Sequence, residues 1–128
     1  MKTIKFLVIL ITLSTFSCKK ETVTPDPYAF LVGTWQYANG AECVFDASTK
    51  SAKGTKVPTN NIFKFVVGED YWKNVASTGT DKWEYNQIVR YADNRPAQYP
   101  KSTMTKKDEN TLSVNNSLLG DSELKRVK

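Results

Sequence analysis

The chain has 128 residues, with 18 Lys and Arg against 13 Asp and Glu and no His, for a formal charge of +5. That length is one domain's worth and excludes an enzyme with a separate cofactor module. Without imidazole there is no Ser-His-Asp or Cys-His catalysis in the usual form and no His-ligated metal, and the two Cys cannot close a thiolate zinc site.

Lys2 and Lys5 open the chain, residues 6–13 form a mostly apolar run, and Ser14, Thr15, Phe16 and Ser17 lead to Cys18. A basic start, a short apolar stretch and small residues before a cut make a secretory signal. A spanning helix needs about 20 apolar residues, and this run is far shorter. The stretch Thr15-Phe16-Ser17-Cys18 resembles the lipobox of bacterial lipoproteins, with Ser17 as the small residue before the cut. With the Lys-Lys-Glu run that follows, it is similar to lipoproteins of the Bacteroidetes. The resemblance implies a signal peptide over 1–17, a diacylglycerol on the Cys18 sulfur and a further acyl chain, such as palmitate, on its new amino group. Several chains meet the requirement for lasting anchorage, since each buried methylene is worth ~0.8 kcal/mol and one chain holds only marginally. Lys19, rather than an acidic residue, follows Cys18, so the expected address is the outer membrane, with the leaflet open.

Cleavage takes Lys2 and Lys5 away and brings the formal charge from +5 to +3. Lys19 and Lys20 lie beside the membrane, so the folded part is close to neutral. No basic stripe interleaved with aromatics appears, and nucleic acid is not an expected partner. Residues 18–27 read as the lipidated Cys and a tether stiffened by Pro25 and Pro27, and residues 28–128 as the domain. Cys43 is left without a partner in the chain. It reads as a small buried hydrophobe, with no His to draw its proton.

The domain shows period-2 alternation and no convincing helical period. The first strand covers 34–38, with Trp35 and Tyr37 on one face. Asn39-Gly40 suits a two-residue type I′ turn, in which both positions need positive φ. A second strand covers 41–46, and 47–60 reads as a polar loop. The third strand is 61–67, with Phe63, Phe65 and Val67 on one face. The fourth is 71–76, where adjacent Tyr71 and Trp72 must point to opposite faces; one of them is expected to reach solvent or a mouth. The fifth, 82–91, alternates most clearly, with Trp83, Tyr85, Gln87, Val89 and Tyr91 on one side. Segments 99–106, 111–115 and 122–128 complete the set. Eight short strands in a domain of this size predict an all-β, antiparallel, up-and-down barrel. Such a barrel is either filled by side chains or holds one small ligand.

Leu31-Val32-Gly33-Thr34-Trp35 resembles the Gly-x-Trp opening of lipocalins and related calycins, and Leu124-Lys125-Arg126-Val127 is similar to their last strand. The resemblance implies a barrel end plugged by Trp35 and closed by Arg126 stacked over it, with Gly33 permitting close entry of the chain. The domain is shorter than a full lipocalin and lacks its C-terminal helix.

Phe63, Phe65, Trp72, Trp83, Tyr85 and Tyr91 are the candidate ligand-binding aromatics. They would line an apolar pocket, or else form core and cross-strand pairs. Arg90 lies on the other face of its strand. With Lys64 and Lys73 it would meet an acidic head group if that side were interior, and water if it were not. Glu69 with Asp70 and Asp108 with Glu109 are sequence neighbours, whereas glycosidase carboxyls oppose each other across a cleft. No residues are expected to be catalytic, and neither a metal nor a cofactor is expected. The leading expectation is a lipid-anchored barrel for a small apolar or amphipathic ligand. The alternative is a filled barrel that docks an envelope protein or glycan through its loops, 47–60 above all.

Overall fold

Eight antiparallel strands follow one another around a closed barrel in chain order, the last returning to pair with the first. The computed structural model describes residues 18–128, so the signal peptide expected over 1–17 lies outside the described residues. The strands are β1 (Gly33–Tyr37), β2 (Glu42–Asp46), β3 (Ser51–Lys56), β4 (Asp70–Gly79), β5 (Lys82–Gln87), β6 (Lys101–Asp108), β7 (Thr111–Asn116) and β8 (Gly120–Arg126). Among the described residues a 3-10 turn, Ala29–Leu31, precedes them. Closure leaves no unpaired sheet edge.

Alternation decides what faces inward. In β5, Trp83, Tyr85 and Gln87 are buried and the residues between them are not. In β6 and β7 the buried set is Ser102, Met104, Leu112, Val114 and Asn116, joined by Thr111. The outward positions of these strands are Lys, Thr, Glu, Ser and Asn, the reverse of the apolar outer band of a membrane-spanning barrel. Among the described residues no helix is long and apolar enough to cross a membrane.

One end of the barrel is shut by the segment that leads into it. Trp35 is wholly buried, and its indole nitrogen donates to the Leu31 carbonyl at 2.8 Å. Phe30 stacks on Trp83 with ring centres 6.1 Å apart. The Trp83 indole donates to the Pro27 carbonyl at 2.8 Å, so the chain from the tether is tied to this end. Arg126 lies over both Trp35 and Phe30, and Lys106 also sits over the Phe30 ring. Gly33 enters at φ +125°, a region that disfavours a side chain, and a Cβ there would be 3.1 Å from Arg126 Nη1.

Four local expectations are corrected. The first hairpin is not a two-residue type I′ turn, because only Gly40 (φ +84°) and not Asn39 has positive φ. Gly40 N–H donates to the Tyr37 carbonyl at 3.0 Å and Tyr37 N–H to Ala41 at 2.8 Å, closing a three-residue loop with a bulge at its glycine. Within 47–60, the Ser51–Lys56 stretch is a strand, β3, despite its small and polar composition. Its inward residues are Ala52 and Gly54, and at Gly54 Tyr71 fills the space of a side chain: a Cβ there would fall 2.4 Å from Tyr71 Cε1. Residues 61–67 are not a strand. Asn61 folds the chain back on itself, its side chain donating to the Phe65 carbonyl at 2.8 Å and accepting the Phe65 N–H at 2.7 Å, with Lys64 at φ +54°. The fifth strand ends at Gln87, after which Ile88 and Val89 are both buried and alternation is lost.

Tyr71 and Trp72 are both buried, so neither reaches bulk solvent. Ala52 pairs with Trp72 but Lys53 with Asp70, which makes Tyr71 the extra residue of a β-bulge. The bulge re-aims the side chain that strict alternation would send outward.

Candidate functional site

At the pole opposite Trp35, the β1–β2 turn, loop 57–69, segment 88–100 and the β7–β8 turn converge. They surround a cavity of about 320 Å³. Its walls are Phe63, Phe65, Ile88, Val89 and Leu119, and its deeper part is formed by Tyr37, Tyr71 and Gln87. Phe63 and Leu119 are 40% and 62% exposed, so apolar surface runs from the cavity out to the rim.

Each wall is held by local chemistry. Tyr71 meets Tyr37 and Phe65 edge-on, with centres 6.1 and 5.6 Å apart. Asn116 fixes the β7–β8 turn by accepting the Leu118 and Leu119 N–H groups at 2.8 and 2.9 Å, and its amide donates to Ser102 Oγ at 2.8 Å. Glu69 accepts the Val66 N–H at 2.7 Å and binds Arg90, whose Nε donates to the same carboxylate at 3.2 Å. That pair ties loop 57–69 to the chain after β5. The hydrogen bond to Glu69 holds the Arg90 guanidinium above its ordinary value.

The polar groups of the deeper part form two short chains. The Trp72 indole donates to Tyr37 Oη at 2.6 Å, and Tyr85 Oη donates to Gln87 Oε1 at 2.6 Å. Burial raises the Tyr37 and Tyr85 hydroxyls and the Cys43 thiol well above their ordinary values, and pushes Tyr71 up to about 12. All four are therefore neutral near pH 7. They offer hydrogen bonds rather than a thiolate or phenolate. Cys43 itself is fully buried.

The sequence-derived candidates divide. Phe63, Phe65 and Arg90 reach the cavity. Trp72, Trp83 and Tyr85 do not line it: they are 0–1% exposed and fill the barrel, Trp72 packing on Tyr85 with centres 5.5 Å apart. Tyr91 has left the barrel, since its strand has already ended; its hydroxyl donates to Gln98, and Arg95 covers its ring at 4.6 Å. Arg90, Lys64 and Lys73 do not form a cationic cluster. Arg90 is paired with Glu69, Lys64 donates to Asn94, and Lys73 lies over the Tyr99 ring.

Tyr37, Gln87, Ile88, Val89, Leu119 and Pro58 are among the cavity residues that pattern reading did not single out as ligand contacts. Gln87 and Val89 carried a signal, on the face shared by Trp83 and Tyr85, and of the adjacent pair Tyr71 and Trp72 it is Tyr71 that reaches the mouth. A second recess, of about 490 Å³, lies along the outer side of β6–β8 among Thr103, Thr105, Ser113 and Asn115, and its walls are short and polar.

No family model, curated protein or solved structure matches the chain. The function therefore rests on the barrel and its open end.

Proposed function

We propose that this protein is a lipid-anchored envelope lipoprotein whose lipocalin-like barrel binds a small apolar or amphipathic ligand at its open end. The observation that carries the reading is the cavity of about 320 Å³ with apolar walls and a few buried polar groups. Small-molecule sites have this character and span about 300–1,000 Å³. The cavity is confined to the mouth because Trp72, Trp83 and Tyr85 occupy the interior beneath it. The Trp35–Arg126 stack supports the lipocalin-like reading. Cys18 is exposed, and the tether joins the barrel at the closed end, so an acyl anchor on Cys18 leaves the mouth unobstructed.

A second reading has its own observation. Ile62, Val66, Val67 and Leu118 stand 56–59% exposed on loops around the mouth, an apolar rim suited to docking an envelope protein or a glycan-bearing partner.

Native mass spectrometry of residues 19–128 from an envelope extract of the source cells tests the first reading. A co-purifying small molecule that is lost on Phe65→Ala supports a carrier. A clean apo mass shifts the weight to docking. Mass spectrometry of the N-terminal peptide tests the anchor: an unmodified Cys18, or a chain still starting at Met1, overturns it.

A further inference from the structure

Resting on the ligand-binding reading, we infer that the cavity selects an uncharged ligand that leads with a hydrogen-bond acceptor, received by the side-chain amide N–H of Gln87. Gln87 is 7% exposed and lines the cavity. Its Oε1 is already taken by the Tyr85 hydroxyl at 2.6 Å. Among the described residues its Nε2 has no hydrogen-bond partner, yet it is not sealed from access, since no side-chain nitrogen or oxygen there is both buried and unpartnered. With the residue more than nine-tenths buried, the access left to this donor is through the cavity that Gln87 lines. Water meets this donor when no ligand is bound, and a ligand carbonyl, ether or hydroxyl oxygen replaces that water while an acceptor-free ligand leaves the N–H unpaired.

The charges around the mouth point the same way. Arg90 is held by Glu69, and Glu123 by Lys107 and Lys125. Among the other polar lining groups, Asn116 has its oxygen occupied by two backbone N–H groups and its amide on Ser102, Asn39 accepts the Ala41 N–H, Tyr37 accepts from the Trp72 indole, the Tyr71 hydroxyl donates to the Lys56 carbonyl, and Ser122 is exposed at the rim. A ligand carboxylate or ammonium entering between Phe63, Phe65 and Leu119 would be stripped of water with no free counter-charge to meet it. A neutral head group loses far less, and the apolar body behind it covers the half-exposed Phe63 and Leu119.

Three probes of similar size separate the outcomes: 1-octanol, octanoate and octylammonium, titrated into the mature protein at pH 7 by calorimetry, with cyclohexane as an acceptor-free control. The expected result is that octanol binds at least tenfold more tightly than either ion, by about the margin of one desolvated charge. Gln87→Met should lower the preference for octanol over cyclohexane by about threefold to tenfold, the worth of one hydrogen bond. In the unmutated protein the Gln87 side-chain amide resonances should shift with octanol and not with cyclohexane, a readout that does not depend on the variant folding. Octanoate binding as well as octanol, or unmoved Gln87 amide resonances, overturns the inference and leaves the ligand-binding reading standing. Failure of both octanol and cyclohexane to bind overturns the two together.

Discussion

The Arg126 guanidinium lies 4.4 Å from the centre of the Trp35 ring while Nη1 and Nη2 donate to the Val32 and Phe30 carbonyls at 2.9 and 2.6 Å. The two residues are also cross-strand partners where β8 meets β1, so the stack sits on the seam that closes the barrel. Trp35→Ala should cost about 3–5 kcal/mol, as for a large buried aromatic. Arg126→Ala should cost about 2–3 kcal/mol through its charged hydrogen bonds. The double variant should be less than additive by about 0.5–2 kcal/mol, the worth of a cation–π contact. Arg126→Lys should fall between, because an ammonium lacks the planar fork that reaches both carbonyls. Denaturant unfolding of the parent and the four variants decides the matter, and strict additivity would remove the energetic stack.

Gly54 is required for what it lacks. The Tyr71 ring occupies the place of its side chain, with Cε1, Cζ and Cδ1 at 2.4, 2.6 and 2.9 Å from an ideal Cβ. Gly54→Ala must displace a buried aromatic that also supports Tyr37 and Phe65 in the cavity. The expected loss is about 1–3 kcal/mol, the usual range for overpacking. Adding Tyr71→Leu should recover part of it. If Gly54→Ala proves neutral in a urea melt, the ring has room to move and the contact is not tight.

That contact also shows where sequence reading stopped. The all-β barrel and seven of its strands were legible, because Trp83 and Tyr85, Leu112 and Val114 alternate in their own right, while the expected total of eight includes 61–67 in place of β3. Strand β3 was not, because Ser51–Lys56 has little propensity of its own and is a strand through its pairing with β2 and β4. Conversely, Phe63, Phe65 and Val67 alternate like a strand but serve a folded loop around the mouth. Asn61, Lys64 and Gly68 turn the chain there, and an exposed apolar rim has no periodicity to betray it. Of the site, Phe63, Phe65 and Arg90 were legible as single residues, whereas Tyr71 depends on a bulge set by strand register.

Stability should fall steeply at alkaline pH. Burial pushes the Tyr71 hydroxyl up to about 12 and holds Tyr37 and Tyr85 above their ordinary value as well. In the unfolded chain these groups ionise near 10. Between the two values the unfolded state binds fewer protons, so the unfolding free energy decreases as pH rises. The stabilisation from neutral buried phenols is complete below about pH 10 and disappears as the pH passes through the folded-state values. Tyrosinate absorbance should rise together with loss of near-ultraviolet dichroism for these three residues. Tyr85→Phe and Tyr71→Phe should each flatten the alkaline limb. Their ionisation in a still-folded protein would contradict the burial described.

Arg90 and Glu69 join two elements that share no strand pairing, loop 57–69 and the segment after β5. Both side chains are partly shielded, at 25% and 15% exposure, so the pair is worth more than a free surface bridge and less than a sealed one. Arg90→Ala should cost about 1–2 kcal/mol on that scale. The larger effect should be local. Glu69 also accepts the Val66 N–H, so its release frees the loop that carries Phe63 and Phe65. Hydrogen exchange at Lys64, Phe65 and Val66 should therefore accelerate well ahead of exchange in β6 and β7. Glu69→Gln should act less strongly than Glu69→Ala, since the carboxamide still accepts a hydrogen bond but loses the charge. Uniform acceleration across the barrel would instead mean that the pair supports global stability and does not latch the mouth. Ligand affinity separates the two further: a latch variant should bind octanol more weakly even well below its denaturation midpoint, where the barrel is still fully folded.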